Sequence, residues 1–369
     1  MSCDFLSRAC PGVQRLTPYV PGKPIEELER ELGIRNIVKL ASNENPLGPG
    51  TAVLRAVERV LPELSRYPDG NGFRLKQALS DHLGVTSDTI TLGNGSNDVL
   101  DLVARAFLGP GDEAVFSEFA FAVYPIATQA CGATGVVTPA RDYGHDLDAM
   151  ARAIGPRTKV VFIANPNNPT GTAFGRGQWE SFIRQVPESV LVVLDEAYIE
   201  YTGAEMDDPL NGLNYLADYP NLLVTRTFSK AYGLAALRVG YSLSHPQVAD
   251  LLNRVRQPFN VDSVALAAAQ AALGDQDYLQ RSRALNHQGM EQYVAGFRRL
   301  GLDYIPSAGN FVTVHFANDA GPVYQQLLEQ GVIVRPLANY GLPRSLRISI
   351  GLPQENQRCL EALEQCLSS

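Results

Sequence analysis

Val160-Val-Phe-Ile-Ala is apolar at every position and runs directly into Asn165-Pro-Asn-Asn-Pro-Thr-Gly. A half-solvated strand would alternate polar and apolar residues. A short run apolar on both faces fits a strand covered on both sides, as in a parallel sheet sandwiched by helices. The same unit recurs outward in both directions. Upstream, Thr89-Ile-Thr-Leu precedes a helical pattern over 97–107, and Ala114-Val-Phe precedes one over 124–130. Downstream, a helical pattern over 178–185 leads to Val190-Leu-Val-Val-Leu, then Leu222-Leu-Val-Thr and Val239-Gly-Tyr-Ser-Leu. This alternation predicts an α/β fold, with a large domain over 49–273 built on a mostly parallel sheet that has helices on both faces.

Past Gly274 the pattern changes. Helical spacing over 277–300 is followed by strand-like Asn310-Phe-Val-Thr-Val-His-Phe, helical 323–330, strand-like Val332-Ile-Val-Arg and Leu346-Arg-Ile-Ser-Ile, and a closing helix over 354–366. That order predicts a smaller α+β C-terminal domain over 274–369. Residues 1–48 hold a Pro/Gly-punctuated lead, a helical stretch over 25–32 and strand-like Val38-Lys-Leu. Too short to fold alone, they are expected to form an arm against the small domain.

Composition excludes several classes. The 369 residues carry 31 basic and 39 acidic side chains, a net charge of −8, with no dense Lys/Arg block of the kind that neutralises phosphodiester backbones or anionic membranes. No stretch is apolar for the length a bilayer requires, and the first residues lack a leader's apolar core, so a cytoplasmic location is expected. Cys3, Cys10, Cys131, Cys359 and Cys366 are odd in number and unpaired in spacing, which fits free thiols. The five histidines form no metal-binding pattern, and no metal is expected.

In a parallel α/β sheet, ligands bind outside the carboxyl ends of the strands, so the residues just after each apolar run matter most. Thr91-Leu-Gly-Asn-Gly-Ser-Asn-Asp turns a strand into a helix beginning at Ser96 or Asn97. Free N–H groups and the positive helix end suit a phosphate there, and a plain turn capped by Ser or Asn fits the same pattern. In Asn165-Pro-Asn-Asn-Pro-Thr-Gly the prolines fix φ and form a rigid bend that can hold the Asn168 amide toward the sheet end, although a plain turn would need only part of this pattern. Asp195-Glu-Ala-Tyr places an acid where a buried strand emerges. Burial of that acid calls for a compensating partner: a protonated heterocyclic nitrogen, an arginine or a helix start. In Thr225-Arg-Thr-Phe-Ser-Lys-Ala-Tyr, Lys230 lies between strand and loop, flanked by Thr227 and Ser229, with Arg238 eight residues on. A lysine beside other cations in a desolvated pocket loses its proton readily and becomes an imine-forming amine.

Taken in this order, the motifs resemble those of the fold-type I pyridoxal 5'-phosphate (PLP)-dependent aminotransferases, over nearly the whole chain. The resemblance implies an aspartate-aminotransferase-like fold with Lys230 holding PLP as a Schiff base and then moving the substrate proton. It implies that Asp195 pairs with the pyridinium nitrogen and that Asn168 and Tyr198 bond the phenolic oxygen. Arg238, Thr227, Ser229 and the backbone at Ser96 and Asn97 would hold the cofactor phosphate. An aromatic residue of Phe119-Ala-Phe-Ala-Val-Tyr would stack on the ring, Phe121 best, with Phe119 and Tyr124 as rivals.

Leu16-Thr-Pro-Tyr-Val-Pro-Gly-Lys, Leu40-Ala-Ser-Asn-Glu-Asn-Pro, Arg66-Tyr-Pro-Asp-Gly and Leu346-Arg-Ile-Ser-Ile-Gly are similar to the branch that moves the amino group of histidinol phosphate to 2-oxoglutarate, giving imidazole-acetol phosphate and glutamate. Aromatic aminotransferases and a threonine-phosphate decarboxylase share these motifs and stay open as alternatives. By the same resemblance Tyr19, Asn43, Asn168, Arg335 and Arg347 face the substrate, the two arginines clamping phosphate and carboxylate in turn. Tyr67 would reach the neighbouring subunit's cofactor phosphate, implying a homodimer whose partner also meets the arm.

Overall fold

Val160 and Phe162 face one side of the strand Thr158–Ala164 and Val161 and Ile163 the other, and all four are fully buried. The computed structural model, which describes residues 3–19, 21–203 and 208–368, places this strand inside a seven-stranded sheet. Across the sheet the order is Ile90–Gly93, Gly240–Ser244, Leu222–Thr227, Leu191–Asp195, Thr158–Ala164, Glu113–Ser117 and Thr134–Thr138. Gly240–Ser244 runs antiparallel to both its neighbours, and the other pairings are parallel. The mostly parallel sheet expected from the runs is therefore present, with one reversed strand.

Its two faces are buried in separate layers. Phe162, Val193 and Leu223 pack beneath the helices Ser96–Phe107 and Val123–Ala130. Val161, Ile163, Val192 and Val224 pack on Trp179, Phe182 and Ile183 of the helix Arg176–Ile183. Each such side chain taken out of water stabilises the fold by about 1.5–3 kcal/mol. The helices Thr51–Val60, Phe73–Leu83 and Ser263–Gly274 cover the sheet end that holds Ile90 and Tyr241.

A second, antiparallel sheet has the order Asp303–Ile305, Phe311–His315, Leu342–Ser349 and Arg335–Leu337. Val312, Val314, Leu346 and Ile348 pack with Tyr293 and Phe297 of the 25-residue helix Gln276–Leu300 and with Leu360 and Leu363 of Pro353–Ser368. Val332-Ile-Val-Arg reads as one strand in sequence but divides in two. Val332–Ile333 pairs in parallel with Val38–Lys39 of the arm, while Arg335 pairs with Arg347 in the sheet. The arm's Leu28 packs on Ile333 and Leu328. Among the described residues no helix is long and apolar enough to cross a membrane, and no cluster of His, Cys, Asp or Glu could hold a metal.

Candidate active site

Gly93, Ser117, Ala164, Asp195 and Thr227 end their strands, and Gly240 begins the reversed one, so all six meet at a single sheet edge. The second sheet brings Arg335 and Arg347 to the same edge. The pocket between them is lined by Tyr19, Asn43, Ser96, Asn97, Phe121, Asn168, Asp195, Tyr198, Thr227, Ser229, Lys230, Arg238, Arg335 and Arg347. Every expected site residue except Tyr67 is there.

One end is built for an anion. The helix Ser96–Phe107 starts after Gly95, whose φ of +82° a side chain rarely adopts, and no side chain caps it. The capped turn that the sequence left open is thus absent, and the first turn carries no side-chain cap, as suits an anion. Arg238 packs so close that a Cβ on Gly95 would lie 2.5 Å from its Nη2. A Cβ on Gly240 would lie 2.5 Å from the Ser96 nitrogen. Arg238 Nη1 donates to Ser229 Oγ at 3.1 Å, and the Ser229 N–H donates to Thr227 Oγ1 at 3.1 Å. Two hydroxyls, a guanidinium and a helix start thus share one cradle, which matches a phosphate dianion.

The middle of the pocket holds an acid and an amine. Asp195 is 5% exposed, and its partners are neutral: Tyr124 Oη donates to Oδ2 at 2.9 Å, Thr225 Oγ1 to Oδ1 at 3.1 Å and the Ala197 N–H to Oδ1 at 3.2 Å. Neither the arginine nor the helix start that the sequence allowed is its partner. Burial raises its carboxyl above the usual range, which leaves an acid suited to a cationic ring nitrogen. Lys230 Nζ donates to the Ser42 carbonyl at 3.2 Å and sits 5.7 Å from the centre of the Tyr198 ring. Burial, with Arg347 next in weight, lowers its pKa to about 7. Tyr198 Oη accepts from Asn43 Nδ2 at 2.9 Å, and burial pushes its phenol up to about 12. Of the three aromatic candidates for stacking, Phe121 lines the pocket, Tyr124 is committed to Asp195, and Phe119 packs toward Tyr143 and Leu337.

At the far end Arg335 and Arg347 are opposite each other on adjacent strands, 5% and 6% exposed. Arg347 donates to Asn168 Oδ1 and, at 2.7 Å, to the Ala41 carbonyl, both neutral acceptors; burial lowers its pKa. Arg335 stacks 5.5 Å over the Tyr19 ring, which is half exposed at the rim. The chain lays two buried guanidiniums side by side, an arrangement that favours an anionic ligand between them. Tyr67 is 83% exposed and stacks on Phe259 at 4.7 Å, outside this pocket.

Sequence reading missed Thr225, Ser42 and Ala41, and it named Tyr124 only as a stacking candidate, not as the partner of Asp195. Thr225 is aligned with Asp195 on the neighbouring strand, a pairing that no local pattern encodes. Tyr124 had a signal: it lies in the same aromatic stretch as Phe121, at the start of the helix Val123–Ala130.

A fold of this kind, with a lysine and an acid at the strand ends and an anion cradle beside them, defines an aminotransferase scaffold, and the chain belongs to the aminotransferase class I and II family, whose profile matches residues 35–363. Within that family it is 65% identical over 370 residues to histidinol-phosphate aminotransferase 2 of Pseudomonas fluorescens, covering 100% of both chains. Its structure resembles histidinol-phosphate aminotransferase from Sinorhizobium meliloti, solved in complex with pyridoxal-5'-phosphate, with a TM-score of 0.90, 33% identity and 98% of each chain covered. It also shares the fold of an aspartate aminotransferase double mutant from Thermus thermophilus, with a TM-score of 0.83, 23% identity, and 97% and 99% of the two chains covered.

Proposed function

We propose that this chain is a PLP-dependent transaminase that converts L-histidinol phosphate and 2-oxoglutarate to imidazole-acetol phosphate and L-glutamate, a step of histidine biosynthesis. The observation that carries the reading is one pocket joining a low-pKa amine, a buried acid and two buried arginines. The cradle fits the cofactor phosphate, and Asp195, buried among neutral partners, fits its ring nitrogen. When bound, PLP supplies an electron sink for the bond broken at the substrate Cα.

This chain's residues do the rest. Lys230, half neutral near pH 7, is the attachment point and can take the Cα proton and return it. Asp195 would keep a proton on the ring nitrogen. Asn168 and Tyr198 would hold the phenolic oxygen, and Phe121 would lie against the ring. Arg238, Thr227, Ser229 and the N–H groups at Ser96 and Asn97 bind the phosphate. Arg335 and Arg347, with Tyr19 and Asn43, take the substrate's phosphate in one half-reaction and the carboxylates of glutamate in the other.

We also propose a cytoplasmic homodimer in which Tyr67 of the partner subunit completes the phosphate site; its exposure outside its own pocket supports this. The division into arm (1–48), large domain (49–273) and small domain (274–369) is proposed likewise, because the two sheets lie within 90–244 and 303–349.

The test is amino transfer to 2-oxoglutarate from histidinol phosphate, phenylalanine and tyrosine, in wild type, Arg335→Met and Arg347→Met. Each arginine removed should lower kcat/KM for histidinol phosphate about tenfold to a hundredfold, the worth of a hydrogen bond to a charged group. Turnover of the aromatic amino acids alone, or carbon dioxide release from threonine phosphate, overturns the assignment.

A further inference from the structure

Asp195 has two oxygens and, when ionised, about four lone-pair positions. Thr225 Oγ1 and the Ala197 N–H occupy Oδ1, and Tyr124 Oη occupies one position on Oδ2. The open position is on Oδ2, the oxygen that Tyr124 already holds. Tyr124 is packed on all sides: it is fully buried, its ring stacks on Phe162 at 5.0 Å with the planes 9° apart, and the helix Val123–Ala130 carries it.

We propose that Tyr124 is a positioning residue that keeps Asp195 ionised and aims Oδ2, so that the proton between Asp195 and the cofactor ring stays on the ring nitrogen. The inference rests on the proposed pairing of Asp195 with that nitrogen. A buried carboxylate among neutral groups is driven to take up a proton. Here burial does raise Asp195, and the Tyr124 hydrogen bond leads the effects that oppose it. A phenol suits the task because it donates and stays neutral; burial and the adjacent carboxylate hold Tyr124 well above its ordinary value. An imidazole in its place would change charge near neutrality and would change the ring nitrogen with it.

Removing the donor weakens the ionised form of Asp195 by the worth of a hydrogen bond to a charged group, equivalent to about a tenfold to hundredfold shift of the shared proton toward the carboxylate. Tyr124→Phe is the variant, since it keeps the ring and its stacking on Phe162. Holoenzyme is prepared with cofactor labelled with ¹⁵N at the ring, and the nitrogen resonance is recorded for wild type, Tyr124→Phe and Asp195→Asn, with melting curves to establish folding.

The expected result is a Tyr124→Phe resonance displaced from the protonated toward the neutral pyridine range, with kcat lowered about tenfold to a hundredfold and KM within about twofold. A folded Tyr124→Phe enzyme with the wild-type resonance overturns the proposal if Asp195→Asn displaces it. If Asp195→Asn also leaves the resonance unchanged, the pairing of Asp195 with the ring nitrogen is what fails, and the proposal falls with it.

Discussion

The amine of Lys230 should react with a carbonyl compound along a titration curve centred near pH 7, and the shape of that curve tests the electrostatics of the pocket. Its pKa is lowered from 10.5 to about 7, first by burial and next by Arg347, with Arg238 acting in the same direction. The neutral form reacts, so reactivity rises with pH through the folded pKa and then levels off. At pH 6 about one tenth of Lys230 is neutral and at pH 8 about nine tenths, against about 0.3% at pH 8 for an unperturbed lysine. The assay is capture of PLP by the cofactor-free protein, trapped with cyanoborohydride. Peptide mass mapping then separates Lys230 from Lys23, Lys39, Lys76 and Lys159. Arg347→Met removes a repelling cation and should move the midpoint upward. A wild-type rate that keeps climbing tenfold per pH unit from 7 to 9 refutes the reasoning, because the amine would then be ordinary.

Gly95→Ala forces a side chain into φ +82°, ψ 165° and against Arg238, and should cost about 1–3 kcal/mol of stability, read from denaturant melts. Cofactor affinity, titrated by fluorescence, should fall at least about tenfold because the Cβ intrudes on the anion cradle. Glu200 offers a test away from the chemistry: it is 8% exposed, Oε2 has no hydrogen-bond partner, and burial raises its pKa to about 7. A folded pKa above the unfolded value means that its ionisation favours unfolding, so the native state loses stability as pH rises from about 4.5 to 7. Glu200→Gln should therefore match wild type near pH 4 and exceed it by about 3 kcal/mol at pH 8; equal stability at both pH values would dismiss the ionised buried carboxylate.

Lys230, Asp195 and Asn168 were legible because each follows an apolar run at the sheet edge, and Arg238 because of its spacing from Lys230; both are local properties. The strand Thr158–Ala164 was legible because it is buried on both faces and so apolar at consecutive positions, and the helix Gln276–Leu300 because its apolar residues recur at helical spacing. The edge strand Thr134–Thr138 was not, since Thr134, Gly135 and Val137 are exposed, Val136 is half-buried and no buried run shows. Val332-Ile-Val-Arg hid a division that only its two different partners impose.

The sequence by itself determined most of the order of strands and helices and the amine that follows a strand, because these depend on neighbours a few residues away; whether the helix start at Ser96 is capped was left to the structure. Tertiary structure alone decided that Phe121 lines the pocket while Tyr124 serves Asp195, and that Arg335 lies opposite Arg347. It also decided that Asn43 meets Tyr198 across 155 positions and that Arg347 reaches Ala41 across 306. Such contacts depend on how separate elements stack, and packing over that distance leaves no period in the chain to read.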